Sequence, residues 1–206
     1  MCKLISAGKI DIAMKFLNVC RYIDDLLAVD IPDMADYLYL DTQGHHIGIY
    51  PKDILTLELA DDGETVPYMD ILIRQNKRRG LLTAIYDKRL DAKYSTINVV
   101  RYPHVDSYLA DAAKYGIVTS QLHRFSSRCV LKQDFVYNIA LVMHRMIRKG
   151  YHTIKMWKNV RRFFNSYPRL YDGVSYSHWE RRIRHKIELL NEEVITPGPH
   201  GQIYVQ

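Results

Sequence analysis

The chain has 206 residues with 48% hydrophobic and 25% charged side chains, proportions that exclude a disordered or low-complexity polypeptide and allow one domain or two small ones. Lys and Arg number 29 against 23 Asp and Glu, a net charge of +6. No uninterrupted apolar run approaches the length of a bilayer span, and Met1 to Lys15 carries Lys3, Lys9, Asp11 and Lys15 where a signal peptide would be apolar, so an intracellular protein, nuclear or cytoplasmic, without a membrane partner is expected. Cys2, Cys20 and Cys129 are too few and too far apart for a disulfide framework or a zinc site and are expected as free thiols.

Charge divides the chain. Met1 to Ser95 holds 12 basic and 15 acidic residues, while Thr96 to Gln206 holds 17 and 8. A basic half joined to an acidic one suggests a polyanion held by one part and cations by the other, or two solvated surfaces of unlike composition. In the basic half Tyr102, Tyr108, Tyr115, Tyr151, Trp157, Phe163, Phe164 and Trp179 alternate with Arg and Lys. Stacking and phosphate contacts use that mixture, and so does an ordinary core.

Taken in chain order, Phe16 to Ile23 and Leu26 to Val29 are short apolar stretches around the adjacent pair Asp24 and Asp25, which predicts a β-hairpin with two carboxylates at its tip and buried strands beside them. Ile31 to Leu40 is expected to hold a short helix behind Pro32, and the region of His45, His46, Gly48 and Pro51 to be a loop. His45 and His46 lack a third ligand at metal-site spacing. Val66 to Arg74 and Leu81 to Lys88 predict a second hairpin around Gln75 to Gly80, preceded by the acidic loop Asp61 to Glu64.

After Arg101 the hydrophobic period changes to about 3.6. Val105 to Tyr115 and Val118 to Arg128 are expected as short helices broken near Gly116, with His104 before them ending a turn, the alternative being a nucleic-acid contact. Lys132 to Lys149 sets Phe135, Ile139, Val142, Met143, Met146 and Ile147 on one face, and Gly150 sits where a C-cap glycine belongs. Tyr151 to Phe164 places Ile154, Trp157, Val160 and Phe164 at helical spacing, with Pro168 blocking extension. Ser177 to Glu180 is a capping box for a last helix through about Glu193, and Thr196 to Gln206, rich in Pro and Gly, is a tail. The predicted class is α+β: residues 1–95 with antiparallel hairpins, 96–195 helical and basic, 196–206 the tail.

Two adjacent carboxylates on a rigid tip offer several hard oxygen ligands to one small volume, which suits Mg²⁺; the plainer alternative is that Asp-Asp makes a turn. Tyr22-Ile23-Asp24-Asp25, with Arg21 before it and Leu26-Leu27 after, resembles the Tyr-x-Asp-Asp motif of reverse transcriptases. Pro67-Tyr68-Met69-Asp70 and Tyr86-Asp87-Lys88 resemble the Leu-Asp and Tyr-x-Lys strands that follow that motif in retroelement enzymes similar to Penelope-like elements. Looser similarity runs through Arg101-Tyr102-Pro103-His104 and Gln121-Leu122-His123-Arg124-Phe125, so that about Phe16 to Phe164 is covered. The resemblance implies a partial polymerase palm followed by a helical thumb, the C-terminal portion of an RNA-directed DNA polymerase.

It further implies that Asp24 and Asp25 are catalytic and bind two Mg²⁺, and that Tyr22 packs beneath the primer end. Lys88 and Arg89 would lie near the primer backbone, and the partners implied are an RNA template/DNA primer duplex and a dNTP. Arg101, Arg124, and the basic helix clusters Arg161-Arg162 and Arg181-Arg182 are candidate phosphate contacts, the alternative being solvated helix faces. The fingers and the first palm carboxylate of such enzymes precede the hairpin in family order, and these 206 residues do not supply them; Asp11 is too near the hairpin to serve. The expectation is a fragment inactive without those parts. The alternatives are a non-catalytic nucleic-acid-binding relic and a helical protein-interaction module.

Overall fold

The computed structural model describes residues 5–31, 34–40, 50–51, 56, 58–91, 101–168, 174–192, 196–197 and 203–204. Two compact units divide between Asp62 and Gly63.

In the first unit, helix α1 (Ile10–Lys15) has Asp11 in its first turn and Lys15 in its last, each of the sign its helix end favours. A single 3₁₀ turn, Phe16–Asn18, leads into β1 (Val19–Tyr22), which pairs antiparallel with β2 (Asp25–Ala28). The predicted hairpin therefore forms, with its first strand shortened by that turn. Helix α2 (Met34–Leu38) follows, and β3 (Tyr39–Leu40) pairs in parallel with β4 (Tyr50–Pro51). Pro51, expected in a loop, thus lies in a two-residue strand, while His45, His46 and Gly48 fall outside the described residues.

In the second unit β5 (Thr65–Tyr68), β6 (Ile71–Asn76) and β7 (Gly80–Ile85) form an antiparallel meander. Val66 to Arg74, expected as one strand, is two: Met69 takes φ +57° and Tyr68 pairs with Ile71 across a two-residue turn. Pro67 sits in β5, an edge strand, where its missing N–H interrupts no ladder. Asn76 Oδ1 accepts from the N–H groups of Arg78 and Arg79, and Gly80 adopts φ +73°, so the predicted Gln75 to Gly80 connection is built from its own side chains.

Four helices follow: α3 (Asp111–Arg128), α4 (Lys132–Ile147), α5 (Thr153–Ser166) and α6 (Tyr176–Glu192). The break expected at Gly116 does not occur. Tyr115, Val118, Leu122 and Phe125 bury one continuous stripe across it, and that burial outweighs the roughly 1 kcal/mol that Gly costs in a helix. Helix α4 buries Phe135, Ile139, Val142, Met143 and Met146 as its periodicity predicts, and Gly150 takes φ +84° just beyond its end. In α5 the inward face is Met156, Trp157, Val160, Phe163 and Phe164; Ile154, expected on it, is 82% exposed because it lies only one residue into the helix, beyond the packed stripe.

Helix α6 begins at Tyr176, so Ser177 lies inside it rather than capping it. The Ser175 carbonyl accepts from the His178 and Trp179 N–H groups instead. Trp179, Ile183, Ile187 and Leu190 face inward, with Trp179 stacked on Phe164 at 5.6 Å. Helix α3 packs on α4 and α5, and α4 packs on α6, leaving α5 and α6 in lighter contact. Within the expected tail, β8 (Thr196–Pro197) pairs antiparallel with β9 (Ile203–Tyr204).

The meander joins this bundle through specific bonds. Thr83 Oγ1 donates to the Arg128 carbonyl at 2.7 Å, the Thr83 carbonyl accepts from Val130 N at 3.0 Å, and Arg74 pairs with Asp134. These contacts explain why the sheet belongs with the helices and not with the first hairpin.

Candidate functional sites

The hairpin β1–β2 has a two-residue tip, Ile23-Asp24, with Tyr22 opposite Asp25. Ile23 holds φ +53°, a left-handed backbone that a β-branched residue adopts at a cost of order 1–3 kcal/mol. Arg21 Nε donates to the Ile23 carbonyl at 2.9 Å, which steadies the bend. Asp24 is in the turn and Asp25 opens β2, so two consecutive carboxylates stand at one end of the ribbon.

The burial expected beside them is absent. Tyr22 is 52% exposed and Ile23 72%, and both carboxylates are exposed. The physical reason is topological: β1 and β2 form a two-stranded ribbon with no third strand among the described residues, and such a ribbon has little sheet face to bury. The donors fit Mg²⁺ in kind, as hard oxygens, but two carboxylates do not complete a site. Among the described residues no group of three or more His, Cys, Asp or Glu converges.

A second site gathers four of the eight remaining predicted residues, Lys88, Arg89, Arg101 and Arg124. Asp87 opens a 3₁₀ turn, Lys88–Leu90, accepting from the Arg89 N–H and from Arg89 Nε at 2.9 Å; the same carboxylate is paired with Arg101. Arg101 is largely buried, and burial lowers its pKa against the raising effect of neighbouring Tyr102. Burial raises the pKa of the Tyr102 hydroxyl, while the positive fields of Arg101, Arg89 and Arg124 oppose that rise. Lys88 and Arg89 are exposed.

Arg124, on α3, reaches the β5–β6 turn: its Nε and Nη2 lie 3.2 and 3.1 Å from Asp70 Oδ2, and Arg128 Nε is 3.1 Å from the same oxygen. The Asp70 carbonyl accepts from Tyr86 N, fastening the turn to the end of β7. Beneath, the buried Asp91 accepts from Tyr86 Oη at 2.9 Å. Lys88, Arg89, Arg101, Arg124 and Arg128 together outnumber Asp70, Asp87 and Asp91, so the patch keeps a positive excess.

The structure thus unites Lys88, Arg89, Arg101 and Arg124. Arg128, Asp70 and Asp87 were not singled out as site residues in the sequence; the i, i+4 spacing of Arg124 and Arg128 on a helix is the one signal that pointed to the first of them. His104 closes a turn, its carbonyl accepting from Ser107 N at 3.1 Å and its ring 3.2 Å from Asp106.

The helix clusters disperse. Arg162 and Arg181 are exposed; Arg161 lies over the Tyr176 ring at 5.1 Å and Arg182 near the Trp179 ring at 5.7 Å. Between α5 and α6 opens a cleft of about 470 Å³ lined by Trp157, Lys158, Arg161, Tyr176, Glu180 and Arg184, among others. Among the described residues no helix is long and apolar enough to cross a membrane.

Comparison of the chain with protein-family models, with curated proteins and with solved structures gives no match.

Proposed function

We propose that this chain is the C-terminal palm-and-thumb portion of a reverse transcriptase, supplying Asp24 and Asp25 to a two-metal nucleotidyl transfer and the arginine patch to a template–primer duplex. The observation that supports the reading is the Tyr22-Ile23-Asp24-Asp25 hairpin, whose strained two-residue tip carries two consecutive aspartates open to solvent. Bound there with a third carboxylate from outside these residues, Mg²⁺ would activate the attacking hydroxyl and stabilise the leaving oxygen. What the chain's own residues do is narrower: the hairpin fixes the spacing of Asp24 and Asp25, and Tyr22 presents an exposed ring beside them.

The second reading is a nucleic-acid-binding protein without chemistry. It is favoured by the gathering of Lys88, Arg89, Arg101, Arg124 and Arg128, which needs no metal to grip phosphates.

The test is to read the coding frame upstream of Met1 and assay the product of the whole frame for Mg²⁺-dependent extension of a DNA primer on an RNA template. The polymerase reading expects extension that Asp24→Asn reduces by at least about a hundredfold, since the charge that holds the metals is lost. Extension indifferent to Asp24→Asn, or none at all from the whole frame, refutes it. Duplex binding that weakens linearly in log–log salt and ignores Asp24→Asn then leaves the second reading.

A further inference from the structure

The cleft between α5 and α6 sets two rings from the edge of the bundle core beside basic side chains. Its aromatic floor is Trp157 and Tyr176, and each ring carries a guanidinium: Arg184 lies 4.3 Å from the Trp157 centroid and Arg161 lies 5.1 Å from that of Tyr176. Glu180 is the one carboxylate among the described lining residues, and Arg184 engages it at 2.6 Å. Lys158 and Arg161, both exposed, also line it, so that with Arg184 three cations face the single carboxylate Glu180.

We propose that this seam binds a short stretch of single-stranded nucleic acid, its bases lying on the arginine–aromatic stacks and its phosphates on Lys158 and Arg161. Unstacked bases are recognised on aromatic rings and on guanidinium planes, and backbones by flanking cations. An acidic peptide would use the cations and leave the aromatic floor unfilled. A duplex keeps its bases stacked internally and presents none to the floor. The volume falls at the lower end of ligand clefts, about 300–1,000 Å³, which suits one or two nucleotides rather than a helix. The site does not depend on the carboxylate hairpin, so Asp24→Asn leaves it intact.

The experiment titrates the full chain with a fluorescein-labelled oligouridylate of about ten nucleotides and, separately, with a duplex of equal length, reading anisotropy and tryptophan emission. Both tryptophans are buried, but only Trp157, 8% exposed against 1% for Trp179, lines the cleft, so a change in emission on binding reports on the seam. Lys158→Ala with Arg161→Ala is compared with Lys77→Ala and Arg78→Ala, which removes the same charge from the exposed β6–β7 turn. The seam variant is expected to weaken single-strand binding by about tenfold, and the turn variant by less than about threefold, with tryptophan quenching lost only in the first.

Equal losses in both variants, or unchanged tryptophan emission at saturation, overturns the proposal. So does polyglutamate competing as well as the oligonucleotide. All four substituted side chains are exposed, so folding is expected to survive. Photocrosslinking of a 4-thiouridine oligonucleotide to the unaltered chain gives an independent readout. Adducts at Trp157 or Tyr176 support the seam, and adducts confined to other segments refute it.

Discussion

Gly150 is the position where backbone conformation and packing can be separated most cleanly. It follows the last turn of α4, where Gly150 N donates to the Ile147 carbonyl at 2.9 Å and Tyr151 N to that of Met146 at 3.2 Å. Its φ of +84° strains any L side chain, at a cost to alanine of about 1 kcal/mol. A Cβ there would also meet Val105 Cγ1 at 2.8 Å, and Val105 is not free to retreat because its N–H donates to the Lys149 carbonyl. Displacing a packed side chain costs roughly a further 1–3 kcal/mol.

Gly150→Ala is therefore expected to lower stability by roughly 2–4 kcal/mol, or about 4–16 °C in Tm for a chain of this size. Gly80→Ala is the control: its φ is +73°, but nothing lies within 4 Å of the added Cβ, so only the backbone cost of about 1 kcal/mol remains. Urea and thermal unfolding followed by circular dichroism measure both. If Gly150→Ala is no worse than Gly80→Ala, the close docking of Val105 on the end of α4 is wrong.

Three further outcomes are expected. His144 is buried on α4 and its pKa is lowered by burial, with Arg148 acting in the same direction and a hydrogen bond to the Asn191 side chain opposing both. The unfolded chain then binds the proton first, so His144 contributes stability above about pH 6.5 that is lost as pH falls from there through its depressed folded value; denaturant titrations from pH 7.5 to about 5 should show a flatter decline in His144→Gln. Burial pushes the Cys129 thiol up to about 11, so at neutral pH iodoacetamide should label the exposed Cys20 well before Cys129, as peptide mass spectrometry would show; equal rates refute the burial. Asp70→Ala removes the partner of Arg124 and Arg128; because all three are about one-third exposed, the stability loss should stay below about 1 kcal/mol, while the log–log salt slope of duplex binding steepens by about one. An unchanged slope means these guanidiniums do not meet phosphate.

The sequence made the long amphipathic helices legible because their signals are local. The stripe from Phe135 to Met146, the glycine after it and the proline after α5 each act within a turn or two of chain. Gly116 misled for the same reason: a local breaker was overridden by tertiary burial on both sides of it. The Met69-Asp70 bend was hidden since Met is not a turn former, and what holds that turn comes from Arg124 and Arg128, more than fifty residues away. Charge excess in the second half was plain, whereas the pairing of Arg101 with Asp87 and of Arg161 with Tyr176 depends on contacts that no spacing reveals.

Two turns in this chain share one design and differ in what surrounds them. Ile23-Asp24 and Met69-Asp70 each follow a strand ending in Tyr, each put a non-glycine residue at positive φ, and each place Asp second. At the β5–β6 turn a single carboxylate suffices, and two arginines from α3 neutralise it. A hairpin of this form therefore needs no second aspartate. At the β1–β2 tip a second one is nevertheless present, adjacent, exposed, and without a cation within ion-pair distance among the described residues. Turn formation explains Asp24 and leaves Asp25 over. Two consecutive carboxylates at an exposed tip carry like charge that a bound cation would relieve, so the contrast between the two turns makes Asp25, not Asp24, the residue whose presence the fold leaves unexplained.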